Sequence, residues 1–274
     1  MKISHKLFQF LMLLTLGCSG PVALQAQDNK PAPPMPATEK AEGIVKRAIE
    51  VLGGSAYLNA QSVVGRGFYT AYQDGLSQLP TRFLDYVVYP DKERTEFTSA
   101  GVRVVQTNVG ATGWLYDGAT RSLNDQKPAQ IEDFKRSMRT SIDNVLRGWW
   151  RRESATLSYI GRREAGLARR NETVRLTYPD GFWIEYEFGA KDGLPAKVIY
   201  KRTRKVADSD ETEEITEEDR LARPITIDGV TAAYVIDHFI NGKQTSRINY
   251  ESIEFNRPLA ASLFTKPENA KSVK

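Results

Sequence analysis

The strongest constraint on the fold of this chain is a strict alternation of apolar and polar residues in two consecutive segments. Every second side chain is apolar in residues 173–178, and again in residues 182–188 beyond a Pro-Asp-Gly turn. The apolar positions are Val174, Leu176, Tyr178, Phe182, Ile184, Tyr186 and Phe188. A period of two places them on one face of an antiparallel hairpin. The sequence therefore predicts a sheet with one dry and one wet face.

Similar runs recur along most of the chain, separated by turn signals such as Asp74-Gly75 and Asn241-Gly242. They predict further strands at 63–72, 81–89, 94–98, 102–109, 114–116, 195–204, 234–240 and 243–250. The apolar phase slips between Tyr250 and Ile253, which predicts a β-bulge near Glu251-Ser252. The segment Asp208–Asp219 holds eight acidic residues and is predicted to be a loop or a frayed hairpin.

Two amphipathic helices complete the pattern. The first is predicted from a cap at Thr38 to Leu52, where Gly53-Gly54 ends it. The second is predicted over Pro128–Arg151. Its apolar stripe comprises Ile131, Phe134, Met138, Ile142, Val145, Leu146 and Trp149. We therefore expect an α+β, mainly β domain over residues 38–267, in which one curved antiparallel sheet of about ten or eleven strands forms an incomplete, half-open barrel with a helical lid. Residues 268–274 would be a tail.

The N-terminal segment predicts export. Residues 1–26 have two lysines, a ten-residue apolar core and a small residue at the end, which is the layout of a signal peptide. The proline-rich residues 27–37 are predicted to be a linker. A second interpretation is a lipobox that ends at Cys18, whose acylation would anchor the protein to the envelope. Both interpretations place the protein in the periplasm, with no transmembrane span after processing.

Cleavage of the predicted signal peptide would also remove the side chains of Cys18 and His5 from the mature protein. Cys18 is the only cysteine, and His238 is the only histidine besides His5. No catalytic, cofactor or metal site is expected, because no nucleophile motif or phosphate-binding glycine loop is present. Glu185 and Glu187 could be considered as the carboxylate pair of a glycosidase, but any solvated strand face places two acidic residues at this spacing. A hydrolase that uses His238 is a minor alternative to a protein without enzymatic activity.

The charge distribution allows two interpretations. Residues 135–175 contain eleven Lys and Arg against four acidic residues. Such a stretch is typical of a solvated face, and it could also contact anionic lipid head groups. Nucleic acid is not expected as a partner of an exported chain.

The remaining candidate for function is the apolar face. If a half-barrel does not fill its interior with its own side chains, it can hold a ligand. The predicted apolar ligand site comprises Trp114, Tyr116, Met138, Ile142, Trp149, Val174, Leu176, Phe182, Ile184, Tyr186 and Phe188. The last four would line roughly 20 Å of floor, which suits an acyl chain. The alternative is that the same side chains form a filled core.

Several short motifs resemble the family of the periplasmic lipoprotein carrier LolA and its LolA/LolB-like relatives. They are Val51-Leu52-Gly53-Gly54 at the end of the first helix, the strand end 89–94 (YPDKER), residues 113–117 (GWLYD), residues 253–256 (IEFN) and the closing residues 263–267 (LFTKP). Their order covers nearly the whole domain.

The resemblance implies an eleven-stranded incomplete barrel with a helical lid that binds the acyl chain of a lipid or lipoprotein. It also implies a role in lipoprotein sorting, with a possible inner- or outer-membrane partner protein. A second branch of the family acts in envelope stress, so an adaptor that binds a protein partner is the alternative. In the carriers an arginine directly precedes the strand-end proline and helps to hold the lid, whereas here Tyr89 precedes Pro90.

Overall fold

The computed structural model describes residues 38–206 and 211–273. The predicted signal peptide, the lipobox cysteine Cys18 and the proline-rich linker lie outside these residues. No helix within them is long and apolar enough to cross a membrane.

Helices are short and few. They are α1 (Thr38–Val51), α2 (Ser55–Leu58), α3 (Pro128–Thr140) and α4 (Ile142–Leu146), together with 3-10 turns at Trp149–Glu153, Ala261–Leu263 and Ala270–Ser272. The predicted second helix is therefore divided at Ser141, whose hydroxyl accepts a hydrogen bond from the backbone N–H of Asp143 at 3.1 Å and caps α4. Residues 128–153 are called the lid segment below.

Strands make up the rest of the fold. They are β1 (Ser62–Gln73), β2 (Leu76–Ser77), β3 (Thr81–Val88), β4 (Lys92–Ser99), β5 (Val102–Val109), β6 (Thr112–Asp117), β7 (Ser122–Asp125), β8 (Thr156–Glu164), β9 (Arg170–Thr177), β10 (Trp183–Gly189), β11 (Pro195–Lys205), β12 (Thr212–Ile227), β13 (Val230–Ile240) and β14 (Lys243–Phe255). The acidic segment was predicted to be a loop or a frayed hairpin. From Thr212 onward it is the first part of β12, which forms a hairpin with β11 over residues 212–220, so the loop alternative is wrong there. Ion pairs between Lys201 and Glu214 and between Arg204 and Glu213 cross this hairpin.

All pairings are antiparallel and form one curved sheet. Its order is β7-β6-β5-β4-β3-β1-β14-β13-β12-β11-β10-β9-β8, and β2 pairs only with β1. The two edge strands β7 and β8 are not paired with each other in this order, so the barrel is incomplete, as predicted. The fourteen strands in the described residues exceed the predicted ten or eleven because β2, β7, β8 and β12 were not expected.

A β-bulge in β14 confirms the phase slip read from the sequence. Arg66 pairs with Ser252 and Gly67 pairs with Tyr250, which leaves Glu251 as the extra residue. The bulge restores the apolar phase, so that Tyr250 and Ile253 both face the helices. Gly65 is required beside it, since a Cβ there would lie 2.6 Å from the Tyr250 ring.

The two faces of the sheet are covered differently. Helices α1 and α4 pack on the inner face of strands β8–β11, where Ala41 and Ala48 allow α1 to approach closely and are fully buried. The C-terminal segment 257–273 lies on the outer face of β4–β6. There Arg94 donates to the Leu263 carbonyl at 2.8 Å and Trp114 donates to the Phe264 carbonyl at 3.1 Å.

Candidate functional site

The predicted floor lies on the inner face, but helices cover it. Of the six predicted ligand residues on the β9–β10 hairpin, five are at most 1% exposed: Val174, Leu176, Ile184, Tyr186 and Phe188. They pack in one core with Val145, Leu146 and Trp150. In this conformation the β9–β10 hairpin is therefore filled core, the second of the two alternatives left open by the sequence. Ligand binding by these residues stays a prediction, and it would require the lid segment to move.

The lid residues chosen from the sequence lie at the margin of this core. Met138, Ile142 and Trp149 are half-buried. The tryptophan that enters the core is Trp150, whose indole N–H donates to the Val145 carbonyl at 3.3 Å. The break at Ser141 and the 3-10 turn change the direction of the apolar stripe along the lid segment. A continuous helical period therefore predicts that Trp149 enters the core, whereas Trp150 does.

Trp114 and Tyr116 face away from the helices. Both lie on the outer face of β6, where Trp114 is buried beneath the C-terminal segment and Arg94 lies 5.4 Å from its ring. The alternation of side chains along the strands explains why Trp114 lies on the outer face. Trp114 is paired in register with Thr107 and Asp125 and shares their face of the sheet. These two residues therefore do not line an inner cleft.

An open cleft of about 1790 Å³ occupies the part of the inner face that the helices leave uncovered. The sheet contributes apolar side chains from β1 and β12–β14, and the helical side contributes Leu52 after α1 together with residues of α2 and α4. Strands β8–β12 add charged residues to the lining, among them Arg162, Glu164, Arg170, Glu187, Lys197 and Arg220. The apolar and aromatic lining includes Leu52, Tyr57, Val63, Ile142, Leu221, Val230, Ile236, Tyr250, Ile253 and Phe255. Of the predicted ligand residues, Ile142 lines this cleft. The lining from β13 and β14 was missed because neither strand was assigned to the predicted ligand site.

A second cleft of about 1070 Å³ lies under α3. Its lining includes three predicted ligand residues, Met138, Trp149 and Phe182. Basic side chains surround them: Lys135, Arg136, Arg139, Arg152, Lys201 and Arg202. Arg139 lies 3.7 Å from the Tyr178 ring centroid and donates to Asp180 at 2.8 Å, which holds the end of α3 against the β9–β10 turn.

A polar cluster fastens α4 at the edge of the larger cleft. Arg147 donates to Asp143 at 2.7 Å and to the carbonyls of Tyr57, Leu58 and Ala60 at 3.0, 3.2 and 3.0 Å. The hydroxyls of Tyr57 and Tyr89 donate to the two oxygens of Asp143 at 2.6 and 3.1 Å. Burial, followed by the charge of Asp143, raises the pKa of both tyrosines well above its ordinary value, so they remain donors. We call these residues (Tyr57, Tyr89, Asp143 and Arg147) the Arg147 cluster.

The Arg147 cluster joins three separate elements at one point. Tyr89 follows β3, Tyr57 belongs to α2, and Asp143 and Arg147 belong to α4. Tyr89 thus contacts the lid segment from the end of β3, and the arginine of the cluster comes from the lid segment itself. The sequence carried a partial signal, because Asp143 and Arg147 have the i,i+4 spacing of a helical ion pair.

The inner face also carries titratable groups. His238 Nδ1 lies 2.6 Å from Asp219 and its Nε2 lies 3.7 Å from Glu217. Burial opposes its charged form, but the hydrogen bond and charge of Asp219 outweigh this effect and raise the pKa of His238. Since both ring nitrogens face carboxylates, the arrangement stabilises an imidazolium, which suits an ion-pair network better than the free base of a hydrolase.

Comparison with family models gives no match, and comparison with curated protein sequences gives none either. Solved structures do match. A DUF1329 family protein from Desulfovibrio piger has a TM-score of 0.55 and 13% identity, over 82% of this chain and 97% of that one. A domain described as an outer membrane lipoprotein-sorting protein from Vibrio parahaemolyticus has a TM-score of 0.54 and 12% identity, over 84% and 98%.

A LolA superfamily protein from Nitrosomonas europaea has a TM-score of 0.51 and 14% identity, over 82% of this chain and 97% of that one. The chain therefore has the LolA-like fold that the sequence motifs implied. At these identities the likeness concerns the fold, and function has to be argued from the site.

Proposed function

We propose that this protein is a periplasmic carrier that holds the acyl chain of a lipid or lipoprotein without covalent chemistry. The observation that supports the proposal most strongly is the open cleft of about 1790 Å³ beside the Arg147 cluster, which combines an apolar wall from β12–β14 with charged residues elsewhere in its lining. Its size exceeds the roughly 300–1000 Å³ of ordinary small-molecule sites, so it has room for an elongated ligand. The lipoprotein-sorting description of one structural neighbour agrees with this class of ligand.

The walls of the cleft suit a hydrocarbon chain. Ile236 is paired in register with Leu221 on one side and Ile248 on the other, so a continuous apolar surface crosses three strands. Ile253 and Phe255 extend it along β14. Each buried methylene of a ligand contributes about 0.8 kcal/mol, and a chain laid along this surface would therefore gain several kcal/mol.

Uptake of a fluorescent fatty acid tests the proposal. Ile236→Glu places a charge on the wall of the cleft, and we expect it to weaken uptake by at least about ten-fold because the carboxylate must be desolvated when a chain binds. Ile160→Glu is the matched control, since Ile160 is 36% exposed on β8 and lines neither cleft. Both variants should retain the wild-type melting temperature, because neither isoleucine is fully buried.

Two results would contradict the carrier function. One is a folded wild-type protein that takes up no fatty acid. The other is equal uptake by the wild type and Ile236→Glu. Either result would favour the adaptor alternative, in which a closed interior serves only as a core.

A further inference from the structure

The hairpin between β8 and β9 presents an apolar residue to solvent at one rim of the sheet. Its tip is Ala165-Gly166-Leu167-Ala168, and Leu167 is 100% exposed. The turn is closed by a hydrogen bond from the Ala165 N–H to the Arg169 carbonyl at 3.0 Å and one from the Arg169 N–H to the Gly166 carbonyl at 3.1 Å. Leu167 is therefore held outward on a hydrogen-bonded turn, with no packing inside the domain to explain an apolar side chain there.

Cations surround this tip. Arg162, Arg163, Arg169 and Arg170 flank it within the hairpin, and Lys191 lies on the neighbouring β10–β11 turn, which Ala190 joins to the hairpin through a 2.9 Å bond to the Arg170 carbonyl. Three of the arginines are paired with glutamates. Within residues 38–206 and 211–273, neither Arg169 nor Lys191 has a carboxylate partner, so these two cations are available to an anionic surface. Asp192, on the same turn as Lys191, accepts a hydrogen bond from the Leu194 N–H at 3.1 Å.

The tip also stands at the mouth of the larger cleft. Leu167, Ala168, Arg169 and Arg170 belong to the lining of the same opening that leads to Ile236 and Ile253. Whatever surface the hairpin contacts will thus lie next to the entrance of the apolar cleft.

We infer that the β8–β9 hairpin docks the protein on an anionic lipid bilayer, with Leu167 inserted between the acyl chains and Arg169 and Lys191 against the head groups. An apolar tip within a ring of cations matches the two layers of a membrane surface, since the apolar residue reaches the hydrocarbon as the cations stay at the anionic head groups. The inference that the tip reaches the hydrocarbon layer rests on the proposed acyl-binding function, because docking at that depth brings the mouth of the cleft to the acyl chains that the protein would exchange. Membrane binding itself does not depend on that function.

A single-cysteine experiment tests the inference directly. Cys18→Ala removes the only cysteine of the chain, so Leu167→Cys in that background can be labelled uniquely with an environment-sensitive fluorophore. We expect its emission to rise and shift to the blue on vesicles of phosphatidylglycerol and phosphatidylethanolamine, and to stay unchanged on phosphatidylcholine vesicles. Leu79→Cys is the matched control, because Leu79 is 88% exposed on a hairpin tip whose residues 74–80 contain no Lys or Arg. Its label should not respond to either kind of vesicle.

Cosedimentation with the anionic vesicles gives the magnitudes. Leu167→Ser should weaken partitioning about ten-fold and Arg169→Gln about five-fold, whereas Leu79→Ser should leave partitioning unchanged. Added salt should weaken binding of the wild type, since the head-group contacts are electrostatic. Unchanged partitioning of Leu167→Ser, or a label at residue 167 that stays in water on the vesicles, would overturn the inference. That result would indicate that the tip contacts a protein instead.

The two proposals fail separately. Fatty-acid uptake by a wild type that ignores anionic vesicles would refute the docking hairpin and leave the carrier function in place. Hairpin-dependent vesicle binding by a wild type that takes up no fatty acid would refute the carrier function and support the hairpin.

Discussion

Replacement of Arg147 by methionine should destabilise the domain more than the loss of any surface ion pair. The Arg147 side chain is 7% exposed and Asp143 is 19% exposed, and the two are joined at 2.7 Å. Methionine keeps much of the volume but leaves the Asp143 charge unpaired and the carbonyls of Tyr57, Leu58 and Ala60 without their donor. Breaking a buried pair in this way costs about 3–5 kcal/mol. For a domain of this size the melting temperature should therefore fall by roughly 6–20 °C.

The matched control is Arg66→Met. Arg66 pairs with Glu254 at a similar 2.8 Å, but the two side chains are 49% and 43% exposed, so the loss should stay below about 1 kcal/mol. The double variant Asp143→Asn with Arg147→Met should recover part of the loss, because no unpaired charge remains. Thermal unfolding followed by circular dichroism measures all four proteins. If Arg147→Met melts no lower than Arg66→Met, the Arg147 cluster does not hold the lid segment in the way described.

Three other predictions follow from single residues. Because the pKa of His238 is raised, its ion pairs stabilise the fold fully below the ordinary pKa of 6.5 and less as pH rises through the raised pKa. His238→Gln should therefore lower the melting temperature near pH 6 more than near pH 9. Equal losses at both pH values would contradict this prediction. Burial and the charge of Asp85 raise the pKa of Glu93 to about 8, so ionisation of Glu93 costs stability as pH rises from 4.5, and Glu93→Gln should raise the melting temperature near pH 9 but not near pH 4. If Cys18 is acylated, Cys18→Ala should move the protein from the membrane fraction to the soluble periplasm, whereas an unchanged soluble distribution and a mature N-terminus near residue 27 would support cleavage of a signal peptide.

Local patterns in the sequence predicted the elements well, because each depends on neighbouring residues. The alternation in 173–188 and the Asn241-Gly242 turn gave the hairpins, and the phase slip at Glu251 gave the bulge. The division of the lid segment at Ser141 was missed, since an apolar stripe continues across it and only the cap to Asp143 reveals the break.

The site was harder to predict because it depends on contacts between distant elements. Trp114 and Ile184 were both assigned to one apolar face, yet Trp114 lies under the C-terminal segment and Ile184 lies under α4. Nothing in a local pattern shows which part of the inner face the helices cover. The Arg147 cluster likewise joins Asp143 to Tyr89 and Tyr57, which precede it in the chain by 54 and 86 positions. No local periodicity reveals contacts over such separations.

Native mass spectrometry of protein purified from its own envelope tests the central claim most directly, because an acyl ligand held in the cleft would be retained and weighed. We predict a lipid-sized mass adduct on the wild type, which is retained by Ile160→Glu and lost from Ile236→Glu. A wild type that carries no adduct, or an adduct that persists in Ile236→Glu, would contradict the claim that this cleft holds an acyl chain.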